Sequence, residues 1–323
     1  MSNIVEFTRF PLVRYEELRS LIGRVSSENY QLLLSEPPVA WVMTRGTTGK
    51  AKVIPVTTRH VQEILLCGAR ALVNYALRKK DLPILGGRVL NLNFPSKVGV
   101  IPWSGNEPYG YSSGTYARLN PVFGEAMLIP PQEKIDALGA GIGRKDWEAR
   151  FELIYREAQG QDVKTTIGVT PVMVYFADYV RRVHGVRPRD LWSMHALFCT
   201  SVPKVHFKYA PFLKASYGVL DVVEMYTATE GAFGQQLDEL PYFCPNYDTF
   251  LFEVLMGGTT KMLYKMRRGE WGELVVSTSL FPRYRIGDLI ECMGKNYFRV
   301  FGRKRWRTVL EHVLYRAFTR WFI

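Results

Sequence analysis

Residues 43–57, MTRGTTGKAKVIPVT, set Gly46, Gly49 and a group of threonines between two apolar runs, beside Lys50 and Lys52. Glycine lets consecutive backbone N–H groups converge, because it tolerates angles closed to other residues. Threonine hydroxyls add donors, and lysines add point charges suited to phosphate oxygens. The stretch therefore reads either as a surface turn or as an anion cradle. Three further segments carry side chains capable of chemistry: TSVP (200–203), YTATEG (226–231), and RYRIGDLIE (283–291) followed by FGR (301–303). Each has a plain alternative. A lone TxTE is a turn with a solvated acid, and Asp288 after Gly287 is an ordinary turn.

Other chemistries fit poorly. A P-loop, GxxxxGK[ST], needs Gly at 44 and Ser or Thr at 51, where the chain has Thr44 and Ala51. GAGIGR (139–144) has no strand before it and reads as a linker rather than a dinucleotide fingerprint. Cys67, Cys199, Cys244 and Cys292 form no CxxC pair and have no histidine at metal-ligand spacing, so they read as isolated thiols in a reducing compartment. His60, His195 and His206 read as packing residues.

Taken in order, the segments resemble the motifs of the adenylate-forming superfamily. Thr44, Gly46, Thr47, Thr48, Gly49 and Lys52 match its phosphate-binding signature [ST]SGTTGxPK, and YTATEG is similar to its YGxTE segment. RYRIGD is similar to YRTGD, and FGR to the GR that follows it. Within the superfamily, GTTGKAKVIPVT (46–57) and GELVVSTSLFPRYRIGDLIE (272–291) look most like the acyl acid–amido synthetases that conjugate auxin or jasmonate to amino acids. The passage from YTATEGAFGQQLD into FCPNYDTFLFEV supports that branch, and the phenylacetate–CoA ligase type shares most of these residues.

The resemblance implies ATP and Mg²⁺ as cofactors. Ser201 and Val202 would border adenine, with the Tyr226 ring against it and Thr227 beside it. Thr229 would meet the α-phosphate, and Glu230 would hold the metal. Asp288 would accept hydrogen bonds from both ribose hydroxyls, and Arg303 would reach ribose or phosphate. Lys52 and the Gly46–Gly49 amides would hold the β- and γ-phosphates. The implied catalytic set is Lys52, Thr229 and Glu230. A carboxylic acid would be activated as acyl-AMP and passed to an amine or a thiol; the alternative is a lidless nucleotide- or acyl-AMP-binding protein without turnover. The chain departs from the pattern at Arg45 and Ala51. Family members also carry a small C-terminal lid, whereas here 20 residues follow Arg303. A separate lid chain would then complete the enzyme, and Lys304, at the hinge, is not the lid lysine.

These motifs need elements to hold them. Helices are expected at Tyr15–Ile22, Ser27–Leu34, 57–80 (capped by Thr57 or Thr58), 146–159 and near the end from 307. The 57–80 helix has Val61, Ile64, Leu65, Ala69, Leu72, Val73 and Ala76 on one face. Strands are expected at 52–56, 88–95, 125–131 and 194–203, with 165–183 a strand turning into a helix. Residues 104–121 read as a loop, and Trp103 just before it, with Tyr109, Tyr111 and Tyr116 within it, are candidates for an acyl pocket. After 247, short aromatic and β-branched runs suggest antiparallel strands.

The fold class is thus α/β: a large N-terminal adenylation domain of mixed sheets flanked by helices, an appended antiparallel β section, and no small C-terminal lid. Residues 1–302 would form that domain, and 303–323 a hinge stub with an amphipathic helix. At 323 residues and 47% apolar, the chain can bury a core without disulfides. No signal peptide or membrane span is legible, which predicts a cytoplasmic protein with no membrane partner. The net charge of +12 fits a solvated basic surface or a phosphorylated ligand, and no nucleic-acid module is recognised.

Overall fold

A computed structural model describes residues 7–44, 51–120 and 127–320. The helix α1 (Tyr15–Ile22) buries Leu18 and Ile22. Strands β1 (Pro38–Met43) and β2 (Val53–Thr57) pair antiparallel, and α2 (Thr58–Lys79) follows at once. The Thr57 hydroxyl caps α2 by accepting from the His60 amide, and Arg78 and Lys79 sit in its last turn, where cations suit the helix dipole.

Next come β3 (Arg88–Leu90), β4 (Gly99–Ile101), β5 (Glu107–Tyr111), α3 (Ser112–Arg118), β6 (Leu128–Ile129), α4 (Gln132–Ala137) and α5 (Arg144–Ala158). Then β7 (Val163–Val169) leads into α6 (Thr170–His184) and the short α7 (Pro188–Leu191). β8 (Ala196–Thr200) precedes α8 (Val205–Lys208) and α9 (Ala210–Tyr217). β9 (Asp221–Ala228), β10 (Gly231–Gln235) and β11 (Cys244–Pro245) complete the middle of the chain. The last part holds β12 (Leu251–Met256), β13 (Thr259–Met262), β14 (Trp271–Ser277), β15 (Tyr284–Gly294), β16 (Tyr297–Arg303) and α10 (Trp306–Arg320).

Among the described residues these strands form three sheets. The central one has the order β11-β10-β9-β8-β7-β3-β6, parallel from β9 to β6. Helices cover both of its faces, so β8 is buried along its whole length. On one side Leu72 and Tyr75 of α2 meet Phe198 and Met225. On the other, Phe151, Phe176 and Leu213 meet Leu197 and Val222. The second sheet, β2-β1-β5-β4, shares a core with the antiparallel third, β13-β12-β14-β15-β16, through Trp41, Ile54, Phe252, Val276 and Phe298. Arg283 pins the N-terminal segment to the third sheet. It pairs with the buried Glu253 carboxylate at 2.8 and 2.9 Å and donates to the carbonyls of Thr8 and Phe10.

The antiparallel last third and the strand-to-helix segments follow the sequence expectation. Three expectations are corrected. Residues 104–121 are not all loop, since β5 and α3 lie within them. Their glycines serve close approach: a Cβ on Gly110 would meet the Ser96 backbone at 2.1 Å, and one on Gly114 the Phe94 carbonyl at 2.0 Å. At 27–34 there is only a 3₁₀ turn, Tyr30–Leu32, because the Ser26 hydroxyl takes the Glu28 and Asn29 amides and competes with helix formation. The strands expected at 88–95 and 125–131 are short. After Leu90 the asparagines turn to side-chain bonds, with Asn91 donating to the Pro130 carbonyl and accepting from Asn93. Among the described residues no helix is long and apolar enough to cross a membrane.

Candidate active site

A parallel sheet covered on both faces leaves its ligand crevice at the carboxyl ends of its strands. There, past Val169, Thr200 and Ala228, lies a cavity of about 1150 Å³. Its wall includes Thr44, Lys52, Ser201, Val202, Tyr226, Thr227, Thr229, Glu230, Asp288 and Arg303. The structure therefore brings together every described residue of the set singled out from sequence. Gly46, Thr47, Thr48 and Gly49, with Arg45, lie outside the described residues.

Each side chain is held by its own element. Thr44 and Lys52 close the β1–β2 pair: the Thr44 amide donates to the Lys52 carbonyl at 2.9 Å, and its hydroxyl accepts from the Lys52 amide at 3.0 Å. Lys52 Nζ lies 3.1 Å from the Tyr284 hydroxyl and over the rings of Tyr15 and Tyr284, at 5.3 and 5.6 Å from their centroids. The turn after β8 begins at Ser201, whose φ of 77° is left-handed. Thr200 Oγ1 donates to the Gly168 carbonyl at 3.0 Å, so its contact with Ser201 Oγ at 3.1 Å makes the serine the donor.

Thr229 and Glu230 are the two residues between β9 and β10, and both are buried. A buried tight turn needs its polar groups satisfied. Tyr116 donates to the Thr229 carbonyl at 3.0 Å, and the Glu230 carboxylate lies close enough to the Tyr284 phenol for its charge to act on it. Burial first, and the Glu230 charge second, push the Tyr284 phenol far above its ordinary pKa. Tyr284 therefore stays protonated.

Asp288 follows Gly287, whose φ of 84° favours glycine. Its Oδ2 accepts from the Tyr226 hydroxyl at 2.7 Å, and its Oδ1 is 3.0 Å from Arg303 Nε. Burial raises the Asp288 pKa, and the Arg303 guanidinium opposes that shift. The Tyr226 ring is packed by Phe233, Phe243 and Phe298 at 5.6–5.8 Å while still forming part of the wall.

The cavity wall also has an apolar part that sequence reasoning missed. Ile64, Leu65, Ala69, Leu72 and Val73 of α2 line it, and Gly68 opens onto space. Periodicity marks this stripe as facing something apolar but cannot tell a core from a cavity. Tyr111 and Tyr116 also line it. Trp103 instead stands edge-on to Trp41 at 6.2 Å, and Tyr109 packs in the shared core.

A further wall residue, Glu224, is pushed by burial up to about 7. His206 Nε2 lies 3.8 Å from its carboxylate and 3.0 Å from Gln236 Oε1. His60 is fully buried and held down to about 3 by burial, so it stays neutral. His195 pairs with Asp81.

No three metal-ligating side chains cluster among the described residues. The single Glu230 carboxylate is still a fit for Mg²⁺, which typically takes one or two carboxylates and completes its shell with phosphate and water oxygens.

Residues 2–140 match the model of the GH3 family N-terminal domain. No curated protein sequence matches the chain. Among solved structures, the acyl acid amido synthetase AtGH3.15 in complex with 2,4-DB aligns with a TM-score of 0.72 at 16% identity, covering 94% of this chain and 63% of that one. A 2-hydroxyisobutyryl-CoA ligase in the postadenylation state, in complex with R3-HIB-AMP, aligns with a TM-score of 0.60 at 15% identity, covering 94% of this chain and 60% of its own. The chain thus spans less than two thirds of the length of either.

Proposed function

Since the chain has the fold of the adenylate-forming superfamily, close to that of the acyl acid–amido synthetases, we propose that it activates a carboxylic acid with ATP. The observation that carries this reading is the mixed wall of one cavity. Cations and acceptors (Lys52, Thr229, Glu230, Asp288, Arg303) line it together with the apolar face of α2. Small-molecule sites run to roughly 300–1,000 Å³, so about 1150 Å³ accommodates nucleotide and acid side by side.

In the reaction, a carboxylate oxygen attacks the α-phosphorus. An O–P bond forms, the bond to the bridging oxygen breaks, and pyrophosphate leaves with the electron pair. Alignment and charge neutralisation are the protein's contribution. Asp288 receives the ribose hydroxyls on lone pairs left over from Tyr226 and Arg303, because each carboxylate oxygen has two. Ser201, Val202, Tyr226 and Thr227 border the purine, and Thr229 orients the α-phosphate. Lys52 reaches the terminal phosphates, together with Thr44 and the Gly46, Thr47, Thr48 and Gly49 loop. Glu230 would hold Mg²⁺, which offsets charge crowding on the phosphates. Residues 1–302 act as this adenylating unit, with 303–323 as hinge stub and helix. Lys304 lies 2.8 Å from the buried Glu273 carboxylate, away from the chemistry. Transfer to an amine or thiol follows as a second step, completed by a lid.

Pyrophosphate exchange into ATP, measured across a panel of carboxylic acids, tests the proposal. Exchange that depends on one class of acid supports it. ATP binding without exchange for any acid replaces it with a nucleotide-holding role.

A further inference from the structure

Tyr284 has no place in the chemistry above, yet its hydroxyl holds a group that does. Lys52 Nζ is 3.1 Å away. An ammonium only donates, so the hydroxyl accepts from Lys52. The ring is fully buried and stacked on Phe281 at 5.3 Å, and the residues on either side of it, Arg283 and Arg285, exchange backbone hydrogen bonds with Val13 of the N-terminal segment. That same segment leads to Tyr15, whose hydroxyl bonds the Val53 amide and carbonyl, both at 3.1 Å, and whose ring lies under the Lys52 ammonium.

We infer that Tyr284 is a positioning residue that holds the Lys52 ammonium, and that Tyr15 supports the same ammonium from below. The pair presets a long, rotamer-rich lysine before any anion arrives, which lowers the ordering cost of binding. This inference rests on the ATP reading above.

A double-mutant cycle tests it, using the ratio of ATP to AMP affinity in Tyr284→Phe, Lys52→Ala and the double variant. Tyr284→Phe alone should lower the ratio about 10-fold, the scale of one hydrogen bond to a charged group. In the Lys52→Ala background it should lower it less than about twofold, since contacting residues do not act additively. An equal effect in both backgrounds overturns the coupling while leaving the ATP reading intact. A wild-type chain that binds no ATP overturns both. If Tyr284→Phe does not fold, wild type and Lys52→Met labelled with ¹³C at tyrosine Cζ decide. ATP should move the resonance of Tyr226, which borders the purine, in both proteins and that of Tyr284 in the wild type only, and a Tyr284 response that is the same in both proteins, or absent from both, overturns the inference.

Discussion

The Tyr226 hydroxyl donates to Asp288 Oδ2 at 2.7 Å, joining a strand of the central sheet to one of the third sheet. With Arg303 on the other oxygen, this carboxylate is the point at which the β9 and β15–β16 motifs become one site. Asp288→Ala should therefore weaken ATP and AMP alike, by about 10-fold or more, because the ribose is common to both. It should also cost roughly 1–3 kcal/mol of stability by stranding a buried phenol. Calorimetric titration with each nucleotide checks the first effect. A loss confined to ATP would contradict the ribose role.

Lys52→Ala makes the opposite discrimination. ATP affinity should fall about 10-fold, as expected for a lost charge-assisted contact, and AMP less than about twofold. Equal losses would show that Lys52 does not touch the terminal phosphates.

Glu230→Gln keeps shape and hydrogen bonding but removes the charge a hard cation needs. The Mg²⁺ concentration for half-maximal ATP binding should rise about 10-fold, in line with loss of a metal partner. An unchanged metal titration would remove Glu230 from that role.

Glu224 gives a pH signature. Its ordinary pKa of 4.5 is raised to about 7 by burial, so between these values the folded state binds more protons than the unfolded. Stability from this group is then full below about pH 4.5 and is lost as pH rises through about 7, to an amount on the order of 3 kcal/mol. His206, lowered by burial, contributes a slope of the other sign below its ordinary 6.5. The difference between wild type and Glu224→Gln isolates the carboxyl. Urea unfolding should show the variant gaining on wild type from pH 5 to pH 8, and a pH-independent difference would refute the assignment.

Much of the site was legible because its segments are local. Short runs such as YTATEG and RYRIGD carry turn, carboxylate and hydroxyl at fixed spacing, and the alternation of strands and helices gave the α/β core. The missing parts are non-local. Tyr284 lies within a quoted motif, but its bond to Lys52 spans 232 positions and has no local signature. The α2 stripe faces a cavity, whereas its periodicity would be the same against a core. Gly110 and Gly114 suggested a loop by composition, yet they are glycines because neighbouring backbone comes too close for a Cβ.

A crystal structure of the chain grown with ATP and Mg²⁺ bears most directly on the claim that these segments converge on one nucleotide. The account predicts ribose oxygens about 3 Å from Asp288, hydrogen-bond distance, with the α-phosphate at Thr229 and the triphosphate running toward Lys52. A nucleotide bound elsewhere on the surface, or turned so that its phosphates face Ser201, would contradict it.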